Sequence, residues 1–114
     1  MTTAFPEGAA APPARAGTRP RTTDTNPHAQ LDQFPAPLLS RALVERAAAL
    51  PGVVLGPSGR APPGTMGFHL RPEDARGPAE AFMIGREFAH VHPAPDGSLH
   101  MTLPEPLRAA AIAA

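Results

Sequence analysis

Cysteine, lysine, tryptophan and tyrosine are all absent from this 114-residue sequence, and its 10 basic residues are all arginine. Without thiols there is no disulfide framework, no zinc–cysteine site and no cysteine nucleophile. The arginines are scattered and matched by 10 acidic residues, so the net charge is zero and the concentrated positive field that nucleic acid requires is missing. No apolar run approaches the roughly eighteen residues needed to cross a bilayer, so no membrane contact is expected. Residues 1–16 have neither a basic n-region nor an apolar h-region; a cleaved secretion signal is not expected, and a cytoplasmic location is. Leu, Ile, Val and Phe total 21, about 18% of the chain, which is thin for a packed core.

Proline and glycine, by contrast, are plentiful at 17 and 10. That richness points towards disorder, but zero net charge points away from disorder of the whole chain. A small ordered domain with a disordered N-terminal tail reconciles the two. The tail is expected over residues 1–27, whose only large apolar residues are Met1 and Phe5, too few to offset the entropy of ordering. The domain is expected over residues 28–114.

Periodicity sets the fold class as α+β, one main helix packed on a small, mostly antiparallel sheet. Leu39, Ala42, Leu43, Arg46, Ala47 and Leu50 recur at helical spacing behind Pro35 and Pro37, and Pro51-Gly52 stops the run, predicting a helix over residues 36–50. Val53-Val54-Leu55 predicts a short strand, and Met66, Phe68 and Leu70 alternate as a half-buried one does. Ala81-Phe82-Met83-Ile84 is expected to be a third strand, with Gly85 a bulge or a close backbone contact. Another helix begins near Pro104.

The segment 86–103 carries the most information. Residues 86–92 and 98–103 alternate cleanly, and Ala94-Pro95-Asp96-Gly97 between them suits a type I turn. The expected register sets His92 opposite His100 and His90 opposite Thr102. One face then holds Ala89, Val91, Leu99, Met101 and Leu103, and the other Phe88, His90, His92, His100 and Thr102. A one-residue slip would mix the two sets, so the pattern selects its own faces. Glu87 falls on the opposite face in this register and is not expected to ligate or orient a histidine.

Three readings of the histidine face stay open: a solvated outer face of the sheet, a metal site built from His-x-His plus a cross-strand His, and metal-free chemistry with one histidine as general base. His28 and His69 stand alone in sequence and are expected to be surface or satisfied core residues.

The strings Pro51-Gly52-Val53, Gly56-Pro57-Ser58, Gly77-Pro78, Ala81-Phe82-Met83 and Gly85 lead up to Glu87-Phe88-Ala89-His90-Val91-His92-Pro93. With Asp96-Gly97-Ser98-Leu99-His100, and with Asn26-Pro27-His28 and Gln30-Leu31 upstream, they resemble the fungal luciferase-type domain over residues 26–114. Enzymes of that family oxidise a hydroxylated α-pyrone with molecular oxygen, releasing carbon dioxide and light, with no known organic cofactor. The resemblance implies a water-poor pocket lined by His90, His92 and His100 as catalytic residues. Arg86 would be an anion-stabilising neighbour, and Phe88 and Thr102 would complete the substrate-binding set. Family members continue past the helix near Pro104, and the fungal enzymes carry an N-terminal membrane segment, so a C-terminally truncated domain without light emission is expected. The expected activity is cofactor-independent oxidation of a small enol-containing, hydroxypyrone-like molecule. The rivals are a non-catalytic binding or remnant domain and a histidine-based metal-binding module. A small-molecule ligand is the expected partner; nothing in the sequence sets the oligomeric state.

Overall fold

In the computed structural model, which describes residues 10–114, the chain is α+β. Helix α1 (Pro37–Ala48) leads into four strands, β1 (Val53–Pro57), β2 (Met66–Leu70), β3 (Glu87–Val91) and β4 (Leu99–Met101), followed by helix α2 (Leu107–Ala113). The strands form an antiparallel meander in the order β1-β2-β3-β4, each paired with its neighbour in sequence.

Helix α1 begins where expected. Ala36 is extended, Pro37 occupies the first turn where its missing N–H costs nothing, and Arg46 lies in the last turn where a cation suits the helix dipole. Its inward face differs from the expected one. Leu39, Leu43 and Leu50 are exposed; of the expected stripe Ala47 does face the core, and Val44 joins it there. Their smaller side chains let the helix pack closely on Phe68, Ala89 and Val91, the buried centre, to which Val53 and Phe88 also contribute. This core is as slight as the composition implies. On β4, Leu99 and Met101 remain 43% and 45% exposed on the same apolar face.

Segment 81–84 is not the strand expected of it. Residues Ala79–Ala81 form a 3₁₀ turn, and Ile84 makes a single isolated bridge to Glu87. Gly85, at φ 56°, closes a tight turn in which the Glu87 N–H donates to the Ile84 carbonyl, leaving no length for a ladder. Gly85 is therefore a turn residue; a Cβ there would meet nothing within 4 Å.

The bulge lies three residues later. Phe68 pairs with Ala89, but His69 pairs with Glu87, so Phe88 is the extra residue on β3. Within the β3–β4 hairpin, Ala89 pairs with Met101, His90 with His100 and Val91 with Leu99. This is a two-residue slip from the expected register. Because side chains alternate with period two, the slip preserves both faces. The connecting loop, residues 93–97, is wider than a type I turn and is closed by the Gly97 N–H donating to the Pro93 carbonyl at 3.3 Å.

The tail expectation for residues 1–9 lies outside the described residues. Residues 10–27 contain no helix or named strand, and several of them are hydrogen-bonded. The Arg15 N–H donates to the Ala114 carbonyl (2.9 Å), Thr22 bridges Gln30, and Arg21 pairs with Asp32 at 3.1 Å. The end of this run and the residue after it carry Asn26, Pro27 and His28 to the histidine side of the sheet.

Candidate functional site: a three-imidazole cluster

His90 and His100 are cross-strand partners on β3 and β4, and His92 follows two residues after His90 on the same face. Their rings stack, with centroids 5.2 Å apart for His90–His92, 5.1 Å for His90–His100 and 4.3 Å for His92–His100. One ring nitrogen from each lies within 4.8 Å of the others. The cluster is not a solvated outer face: His90 and His92 are only 4% and 3% exposed.

What holds the rings is a pair of carboxylates. His90 Nδ1 sits 2.8 Å from Glu87 Oε2, and His92 Nδ1 sits 2.7 Å from Asp96 Oδ2. Glu87 is fully buried, at 0% exposure. It accepts further hydrogen bonds from the Ser58 hydroxyl at 2.6 Å and the Gly59 N–H at 2.8 Å. Burial opposes its ionisation, but the bonds from Ser58, Gly59 and His90 outweigh that and hold its pKa below the ordinary carboxylate value. Asp96 follows the same pattern: burial raises its pKa, while the Ser98 and His92 hydrogen bonds lower it further and decide the direction.

These contacts assign the tautomers. An ionised carboxylate only accepts, so each Nδ1 carries a proton, and whenever the ring is neutral its Nε2 is a lone-pair acceptor. Among the described residues, neither His90 Nε2 nor His92 Nε2 has a hydrogen-bond partner, and both atoms are buried. Two unsatisfied ring nitrogens side by side are costly, because each has given up water with nothing in return. His100 is half-buried, with Nε2 3.1 Å from Ser98 Oγ. Burial first, and then the adjacent His92 and His90, push its pKa down to about 4, so this ring is neutral at physiological pH.

Beside the rings is a cavity of about 180 Å³ lined by Asn26, Pro27, His28, Arg60, Met83, His90 and His100. Of the expected substrate-binding residues, none lines it. The Arg86 Nε donates to the Leu70 carbonyl at 2.9 Å, away from the imidazoles. Phe88 is displaced to the core side by the bulge and packs against Phe68, with centroids 6.5 Å apart. The Thr102 hydroxyl is held by the Ala81 carbonyl at 2.7 Å and lines a separate, wider hollow of about 720 Å³ near Arg108. His69 Nε2 and His28 Nδ1 each meet a backbone carbonyl, those of Pro57 (3.1 Å) and Thr23 (2.8 Å).

Glu87 is the main correction to the sequence reading. Strict alternation assigns it to the face opposite His90; the extra residue Phe88 returns it to the same face and brings its carboxylate onto the imidazole. Asp96 was legible only as a turn former, although its position four residues after His92 is the one a wide loop folds back. Ser58 and Gly59 carried no signal linking them to residue 87, 29 and 28 positions away.

No curated protein and no solved structure matches the chain. Residues 85–114, which include all three imidazoles, both orienting carboxylates and helix α2, match the family model described as Luciferase domain. That stretch, about a quarter of the chain, is what the chain shares with the luciferase domain.

Proposed function

We propose that His90, His92 and His100 hold one divalent transition-metal ion, and that this centre serves the oxidation of a small enol-containing molecule in a luciferase-domain protein. The observation that carries the reading is the pair of buried, unpartnered Nε2 atoms whose Nδ1 atoms are fixed by Glu87 and Asp96. A carboxylate behind each ligating imidazole, setting its tautomer and raising its basicity, is the usual support of a metal-binding histidine. Three neutral nitrogen donors without thiolate suit zinc, iron, cobalt, nickel or copper better than magnesium or calcium. Metal–nitrogen bonds of about 2.0–2.1 Å require a small inward rotation of the stacked rings.

Metal-free base catalysis fits less well. A general base works best with a pKa near the working pH, and His100, the ring most open to the cavity, is pushed down to about 4.

The test is elemental analysis of purified protein after chelator treatment and reloading with iron, cobalt or zinc in turn. About one equivalent per chain is expected, falling below a tenth of an equivalent in His92→Ala and His100→Ala. Substoichiometric metal in the parent protein under every condition overturns the proposal.

A further inference from the structure

We infer that the cavity beside the cluster takes a small oxygen-donor anion, bound between the open face of the ion and the guanidinium of Arg60; this inference rests on the metal-centre reading above.

Geometry sets where an additional ligand could enter. His90 and His100 line the cavity and His92 does not, so an ion held by the three rings opens onto that space. Charge selects the ligand. None of the cavity-lining residues is acidic, while Arg60 is a fixed cation. The carboxylates that neutralise the centre, Glu87 and Asp96, approach the rings at Nδ1 and do not line the cavity. Among the described residues, the Arg60 guanidinium has no hydrogen-bond or ion-pair partner. Its backbone is not free: the Arg60 N–H donates to Ser58 Oγ at 3.1 Å, and that hydroxyl donates to Glu87. The residue that orients His90 therefore also anchors the loop bearing the arginine.

Size narrows the class further. About 180 Å³ is below the usual 300–1,000 Å³ of drug-sized ligand pockets. A ligand with two adjacent oxygens, one of them ionised, satisfies both ends, since guanidinium presents a planar fork to an oxyanion and the ion accepts oxygen donors. Met83 supplies an apolar wall for a short carbon edge. The class is thus α-hydroxy carboxylates and enolates of similar size.

Cobalt loading of the full chain gives a visible spectrum that reports on the ion's ligands. Glycolate is the probe, as an α-hydroxy carboxylate too weak a chelator to strip the metal, and 1,2-ethanediol is its neutral counterpart. Glycolate is expected to shift the cobalt bands saturably, and the diol is not. Arg60→Ala is expected to weaken glycolate binding about tenfold or more, the scale of a lost charge-assisted bond, with cobalt stoichiometry unchanged; Arg60→Lys should recover part of it. Cobalt bound at full stoichiometry with no glycolate response, an equal response to the diol, or an Arg60→Ala variant that binds glycolate like the parent each overturns the inference and leaves the metal centre standing. Failure to bind cobalt at all overturns the metal centre and this inference with it.

Discussion

Glu87 and Asp96 do two jobs with one group each. Each carboxylate ties down a backbone element, the 58–59 loop for Glu87 and the 96–98 turn for Asp96, and each also fixes the proton on an imidazole Nδ1. The second job separates a ligand from a merely buried histidine: with Nδ1 protonated, Nε2 is left as a base with nothing to accept from. Glu87→Gln keeps the shape but replaces an acceptor-only group by one that can also donate to Ser58 or His90. Zinc affinity in a competition titration with a fluorescent chelator is expected to fall about 10- to 100-fold. An unchanged affinity would separate Glu87 from the metal site and leave it a structural residue.

At the scale of elements, the site depends on two departures from regular strand geometry. The bulge at Phe88 places Glu87 and His90 on one side of β3, and the wide 93–97 loop turns Asp96 back onto His92. Gly97 is the weak point of that loop. Its φ is 63°, and a Cβ there would meet Pro35 Cγ at 2.5 Å. Gly97→Ala is therefore expected to lower stability by about 1–3 kcal/mol, read as a fall of several degrees in Tm. Gly85→Ala is the contrast, because its φ of 56° is strained for alanine but a Cβ there has open space. Its Tm should fall less, and equal losses in both variants would show that packing on Pro35 is irrelevant.

For the whole molecule, a slight core shares its stability with this polar cluster, and pH reaches that cluster first. His100 has a folded-state pKa of about 4 against an ordinary 6.5. Between these values the unfolded chain binds a proton that the folded chain does not, so stability falls as pH drops from 6.5 towards 4. Glu87 and Asp96 have depressed folded-state values. Their stabilisation is present above the ordinary carboxylate pKa and is lost as pH falls further, through the folded values. Metal-free protein should accordingly show Tm declining steadily from pH 7 to pH 4, and His100→Ala should flatten the upper part of that decline. A parent Tm constant across this range would contradict the neutral, half-buried state of the ring.

The similarity to the luciferase domain follows the same division of scales. The stretch 85–114 is local in sequence and contains the hairpin, so alternation alone was enough to place three imidazoles on one face opposite the aliphatics. Even the two-residue error in register left that placement intact, since the faces of a strand repeat every second residue. The α1 boundaries were legible too, because Pro37 and Pro51-Gly52 act on the backbone locally.

Sequence alone therefore determined what depends on near neighbours: α+β class, the main helix, the hairpin and the common side of His90, His92 and His100. Tertiary structure decided what depends on distant partners and on breaks in regularity. It set the burial of the rings, the Ser58 and Gly59 anchors of Glu87, the inward stripe of α1 and the approach of Arg60 and His28 to the cavity. The physical reason is that a single inserted residue inverts the alternation rule on one side of it, and nothing in a linear pattern marks that insertion until a second strand measures it.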